Sequence, residues 1–200
     1  KWIEKKMNDY LPKVSGEEHD YIVASDTDSI YVTLDKLVQK ICPNKSKEDV
    51  VKVLDKICTE KFEPYIDKCY AELADYSNAF QQKMEMAREV IADKGIWVAK
   101  KRYMLNVHNS EGVQYAKPKL KIMGIEAIKS STPEICRIRI KEAITIIMEK
   151  DEKDLQKFIA DFKEEFSTLE PEQVAFPRSC NNLRKYADSS NIFQKSCPIH

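Results

Sequence analysis

Net charge is the first thing this 200-residue chain lacks, because 33 basic side chains balance 33 acidic ones. Bulk charge therefore selects no anionic partner, and only its distribution along the chain carries information. No apolar run approaches the length of a membrane span, and no secretory leader is visible, so no membrane is expected as a partner. None of the six cysteines (Cys42, Cys58, Cys69, Cys136, Cys180, Cys197) stands in a C-x-x-C pair, and they read as reduced cytosolic thiols. Cys180, Cys197 and His200 are only three potential ligands without regular spacing, which argues against zinc. Internal repeats and low-complexity segments are also absent.

What remains is a globular composition, 42% hydrophobic and 33% charged, sufficient for one medium domain or two small ones. The chain opens on Lys1 without methionine, Trp2 and Ile3 read as mid-helix residues, and "SCPIH" reads as an ordered segment cut short. A piece of a longer protein is the expectation.

Residues 1 to 11 are expected to be the end of an amphipathic helix closed by Pro12, followed by a loop at 15 to 20. In "YIVASDTDSIYVTL" (21 to 34), two strand-like runs flank a polar centre, which predicts a hairpin. Residues 46 to 76 read as a helix with Ser46 as N-cap and Asp49 completing a weak capping box. Val50, Val53, Leu54, Ile57 and Cys58 form its apolar face, and Pro64 is a candidate interruption. Three strands are expected at 83 to 92, 95 to 109 and 112 to 124, with "NSEG" turning between the last two and Gly112 supplying positive φ. A helix over 131 to 150 is expected to use Thr132 as N-cap and Pro133 as its first residue, with a second helix from Asp151 to Leu169. The rest is expected to be irregular. The fold class is α+β, with a sheet-bearing part at 1 to 124 and a helical part at 125 to 200.

Two patterns carry chemistry. Alternate strand residues share a face, so Asp26 and Asp28 are expected to point together while Thr27 points away. Paired carboxylates favour a bridging cation, and oxygen-only ligands suit Mg²⁺ or Mn²⁺. A solvated polar turn uses the same residue types. An EF-hand is excluded, because its sixth and twelfth positions would be Tyr31 and Leu37. A phosphatase of the D-x-D type would follow a hydrophobic strand, yet its fifth residue here is Ile30 and a second strand follows at once. The second pattern is charge: from Lys94 to Lys141 there are 11 basic residues against 3 acidic, 11 − 3 = +8. It includes Lys100, Lys101 and Arg102. A local basic face is the footprint of a phosphate-backbone binder, and equally of a solvated surface.

"DTDSIYV" (26 to 32), "AREVIA" (87 to 92), "KKRYMLNV" (100 to 107), "AKPKLKIMGIEAIKSSTP" (116 to 133) and "CPIH" (197 to 200) occur in one order. In that order and spacing the chain resembles the family B DNA polymerases, in particular the replicative polymerases of T4-like bacteriophages. The resemblance implies that residues 1 to 124 are the C-terminal part of an antiparallel palm, and 125 to 200 the start of a helical thumb. It implies that Asp28 ligates two catalytic Mg²⁺ ions, with Asp26 in a weaker or indirect role and Glu89 beside them. Lys101 and Lys129 would touch the minor groove near the primer terminus. Lys100, Arg102, Tyr103 and Lys119 would help to hold the primer–template duplex.

Implied partners are primer–template DNA, deoxynucleoside triphosphates and a sliding clamp reached through a further C-terminal segment. The implied location is the cytoplasm, that of the host if the protein is phage-encoded. Two residues depart from the family pattern: Ser25 replaces a usual Gly, and "ARE" puts Ala87 where a carboxylate is usual. A further palm aspartate, the fingers and the exonuclease would lie outside these residues. The 200 residues alone are thus expected to be inactive. A non-catalytic nucleic-acid-binding module and a D-x-D phosphatase are the alternatives.

Overall fold

The computed structural model describes residues 1–178. Cys180, Cys197, His200 and the "CPIH" motif lie outside them. The chain divides into two compact units, Lys1–Lys121 and Ile122–His200. Its mixture of helices and antiparallel strands is α+β, as the sequence predicts. Among the described residues no helix is long and apolar enough to cross a membrane.

The first unit opens with helix α1 (Trp2–Ser15), which buries Ile3, Met7, Leu11 and Ser15 at helical spacing. Pro12 lies inside this helix rather than closing it. A proline costs one backbone hydrogen bond, but in a last turn little helix remains to disrupt. Gly16 ends the helix instead, in the left-handed region at φ 80°, and its N–H bonds the Pro12 carbonyl.

Strands β1 (Ile22–Asp26) and β2 (Ser29–Val32) pair antiparallel with Asp26 opposite Ser29, leaving Thr27 and Asp28 as the turn. Tyr21, Ile22, Ile30 and Val32 join the core built by α1 and α4. Tyr31, one residue out of phase, faces the opposite way and packs against a second sheet. Helix α2 (Asp35–Ile41), which the sequence pattern does not signal, follows at once.

The expected long helix is divided. Helix α3 (Lys47–Ile57) begins at Ser46, whose hydroxyl accepts the Asp49 N–H at 3.2 Å. Leu54 and Cys58 of the expected apolar face are buried, Val50 and Ile57 pack against the core, and Val51 is buried in addition. A π-helical turn (Cys58–Phe62) then leads into α4 (Glu63–Tyr76), with Pro64 in the first turn of α4. The widened turn accommodates the hydrogen bond that proline cannot make.

The second sheet has the order β3-β4-β5: β3 (Val90–Ala99), β4 (Arg102–Ser110) and β5 (Val113–Met123). The sequence pattern misplaces one boundary here. Residues 95 to 109 are two strands, because Lys100 and Lys101 form a two-residue turn between Ala99 and Arg102. Lys101 takes φ 60° there. Residues 83 to 89 are not a strand. The Glu111–Gly112 turn is as expected, with both residues at positive φ, which matches the twist of a hairpin. Pro118 is tolerated because β5 is an edge strand.

In the second unit, a 3₁₀ turn (Glu126–Ile128) precedes α5 (Glu134–Glu149), α6 (Glu152–Ser167) and the short α7 (Pro171–Val174). The start of α5 lies one residue later than expected. Pro133 is itself the N-cap, its extended backbone handing its carbonyl to the Arg137 N–H, and Thr132 caps nothing. Asp151 caps α6 by accepting the Asp154 N–H at 3.0 Å. Arg139 joins the two long helices by bonding Glu165 at 2.6 Å.

Candidate metal and nucleic-acid site

Two hairpin tips define the site. The first is Thr27–Asp28, the second Lys100–Lys101. They meet through an ion pair: Lys101 Nζ lies 3.3 Å from Asp26 Oδ1. The same oxygen accepts the Thr27 N–H at 2.8 Å and its hydroxyl at 3.3 Å. The Thr27 N–H foremost, and then Lys101, hold the Asp26 carboxyl below its ordinary range. Asp28 occupies the turn itself and is exposed. Its negative charge is felt in helix α4: burial first, then Asp28 and Asp67, raises the Tyr70 hydroxyl above its usual value.

Aromatic packing holds the tips together. The Tyr31 ring sits 5.3 Å from Trp97 and 5.2 Å from Tyr103, in edge and tilted geometries. Tyr103 is buried and hydrogen-bonded to Tyr31, and burial foremost pushes its hydroxyl far up. Gly95 makes room for this cluster, since a Cβ there would come within 2.7 Å of the Trp97 ring. Tyr103, Leu105 and Val107 alternate along β4 on the face that receives Tyr31. Tyr103 is thus at once a core residue and a neighbour of the charged tips.

Glu89 stands just before β3, exposed, and pairs with Lys121 of β5. Its neighbour Arg88 anchors that segment: the guanidinium pairs with Asp55 and donates to Asn109 Oδ1 at 2.9 Å, while its backbone N–H donates to Glu63 at 2.9 Å. Lys119 lies 4.1 Å above the Tyr115 ring on β5. Alternation puts Tyr115, Lys117, Lys119 and Lys121 on one face of that edge strand. Lys100 is exposed at its turn, and Arg102 is half-buried at the start of β4. Lys129 belongs to the second unit, where it pairs with Glu126 at 2.9 Å.

The structure therefore brings together Asp26, Lys101, Tyr103 and the turn bearing Asp28. The Lys101–Asp26 and Lys121–Glu89 pairs and the Tyr31–Trp97–Tyr103 cluster do not emerge from the sequence pattern. Only the alternation of "SIYV", with Tyr31 out of phase with Ile30 and Val32, hints at the cluster. Ser25 does not crowd the turn; it is exposed and its hydroxyl bonds Glu4 at 3.3 Å.

Chemically, Asp26 and Asp28 offer oxygen donors alone, which fits a hard divalent cation as part of a ligand set. Among the described residues no group of three or more His, Cys, Asp or Glu side chains converges on one point. The thiols of Cys42, Cys58, Cys69 and Cys136 are free, and burial pushes the Cys58 thiol up to about 11.

No protein-family model matches the chain. It is 39% identical over 210 aligned positions to the DNA-directed DNA polymerase of Enterobacteria phage T4, and 42% identical over 210 to that of Escherichia phage RB69. Each alignment takes in the whole of this chain but 23% of the relative, so the chain spans about a quarter of the length of these polymerases. The chain is thus homologous along its whole length to one stretch of these two phage DNA-directed DNA polymerases.

Proposed function

We propose that the chain is the part of a phage DNA-directed DNA polymerase that carries the carboxylate hairpin of the palm and the basic residues that hold the primer–template duplex. Residues 1 to 124 form the C-terminal palm and 125 to 200 the start of the thumb. A division into compact units at Lys121 and Ile122, close to that boundary, supports the reading. The observation that carries the functional part is the meeting of the two hairpin tips, aspartates on one and lysines on the other, joined by Lys101 and Asp26.

In this reading Asp28, with Asp26 beside it and Glu89 near, supplies ligands for Mg²⁺, with Mn²⁺ as a substitute. Two such ions, when bound, supply activation of the primer 3′-hydroxyl and stabilisation of the leaving pyrophosphate. The protein's own part is positioning. Tyr31, Trp97 and Tyr103 fix the aspartate turn against the sheet. Lys100, Lys101, Arg102, Lys119 and Lys129 neutralise and align the duplex, through phosphates and through minor-groove acceptors shared by all base pairs, so binding is independent of sequence. Two aspartates on one turn do not by themselves fix two cations, so the 200 residues alone do not extend a primer. Nucleotide and clamp contacts belong to the rest of the polymerase, which acts in the host cytoplasm.

The test keeps net charge constant. Lys101→Ala and Lys129→Ala are combined with Gln156→Lys and Ala160→Lys on exposed positions of α6. Duplex affinity is measured by fluorescence anisotropy against salt. The reading predicts weaker binding on every duplex sequence, with the slope of log affinity against log salt flattened by about 0.9 for each phosphate that a lysine no longer neutralises. Unchanged affinity would mean that a diffuse basic surface, not these lysines, holds DNA.

A further inference from the structure

Both carboxylates assigned beside the cation, Asp26 and Glu89, carry a lysine of the basic stretch: Lys101 on Asp26 at 3.3 Å, and Lys121 on Glu89. In the second pair Lys121 is 29% exposed and Glu89 61% exposed, so only in the first is the lysine the more open partner. The Lys101 side chain is 63% exposed, while Asp26 is only 26% exposed. The ammonium is thus the movable partner and the carboxylate the fixed one, since Thr27 holds Asp26 Oδ1 from its backbone and its hydroxyl. Lys101 also sits in a two-residue turn at φ 60°, which fixes where its stem begins. A lysine so placed has two mutually exclusive uses. It can neutralise Asp26, or it can reach out to a nucleic-acid oxygen.

We propose that Lys101 is a tethered counter-cation of the aspartate hairpin, exchanged for a divalent cation when the lysine moves to DNA, so that cation and duplex bind cooperatively. The inference rests on the functional reading above and adds a regulation that the reading does not require. Its physics is short-range repulsion. A doubly charged ion against Asp26 lies within a few ångströms of the Lys101 ammonium, and the two repel. Duplex DNA relieves that repulsion by offering the ammonium another anionic partner. The coupling is reciprocal: the factor by which the cation tightens DNA is the factor by which DNA tightens the cation. A +2/+1 repulsion at such range, in a near-aqueous and salt-screened medium, corresponds to about three- to tenfold in affinity. Lys101 bears on the cation through Asp26 and on the duplex directly.

The experiment uses the 200-residue chain, Mn²⁺ and a fluorescent primer–template duplex at constant ionic strength. Free Mn²⁺ is followed by electron paramagnetic resonance without DNA, and duplex affinity by anisotropy with and without Mn²⁺. Four proteins are compared: wild type, Lys101→Met, Lys101→Arg and Lys117→Met, the last removing an exposed lysine of β5 as a charge-matched control. Expected are Mn²⁺ binding without DNA about three- to tenfold tighter in Lys101→Met, and disappearance in that variant of the Mn²⁺-dependent gain in duplex affinity. Lys101→Arg restores the wild-type pattern, and Lys117→Met keeps the gain. Equal Mn²⁺ affinity and equal gain in wild type and Lys101→Met would overturn the inference while leaving the functional reading intact. Wild type that binds neither Mn²⁺ nor duplex would overturn both.

Discussion

Replacing Tyr31 with alanine should detach the aspartate hairpin from the three-stranded sheet, and the structure sets the size of the effect. The substitution removes a ring that packs on Trp97 at 5.3 Å and on Tyr103 at 5.2 Å. Aromatic pairs contribute about 0.5–1.5 kcal/mol each beyond the area they bury, so the two together amount to about 1–3 kcal/mol. The hydrogen bond to Tyr103 adds about 1 kcal/mol. Tyr31→Ala should therefore cost at least about 2–4 kcal/mol, since the burial lost with this partly buried ring adds to these contributions, and Tyr31→Phe, which keeps the ring, only about 1 kcal/mol. Urea unfolding followed by tryptophan fluorescence is the assay, because Trp2 and Trp97 both lie in the first unit and report on it alone. If Tyr31→Ala costs no more than Tyr31→Phe, the ring cluster does not hold the hairpin, and the account of how Asp26 and Asp28 are positioned fails.

Arg88→Met should cost about 2–3 kcal/mol in the same assay. That is below the range for a fully buried pair, because Arg88 is 12% exposed but its partner Asp55 is 34% exposed; a cost under about 0.5 kcal/mol would show that the segment before β3 needs no anchor. The buried Cys58 thiol, raised from 9.0 to about 11, gives a pH dependence. Between these values the unfolded state has lost the proton that the folded state keeps, so stability is full below pH 9 and falls as pH rises toward 11. The slope from this group is at most about 1.4 kcal/mol per pH unit. Urea midpoints from pH 8 to 10.5 should fall less steeply in Cys58→Ala than in wild type, and parallel curves would contradict the assignment.

The parts of the fold legible in the sequence are those fixed locally. The D-T-D turn between β-branched runs, the Ser46 cap, and the Glu111–Gly112 turn each carry their signal within a few residues. The Lys100–Lys101 turn escapes the pattern because it contains no Gly, Asn or Pro, and two lysines between hydrophobic residues read as the exposed positions of one long strand. Pro12 misleads in the other direction, since a proline in a last turn looks like a stop while the left-handed Gly16 is the real one. At the site, Asp26, Asp28, Lys101 and Tyr103 can be named from motifs. Their mutual geometry cannot. The Lys101–Asp26 pair is made only by the packing of the hairpin on the sheet, and the Lys121–Glu89 pair only by the folding of the three-stranded sheet, each joining distant stretches of chain.

The central claim is that this chain does, within a polymerase, what the matching segments of its phage relatives do, with Asp28 as the indispensable carboxylate. It is tested most directly by a chimera in which these 200 residues replace the aligned segment of the RB69 polymerase, assayed for primer extension with Mg²⁺. The account predicts template-directed incorporation that Asp28→Asn abolishes while duplex affinity is retained. Incorporation that survives Asp28→Asn, or a folded chimera that holds the duplex and adds no nucleotide, would contradict it.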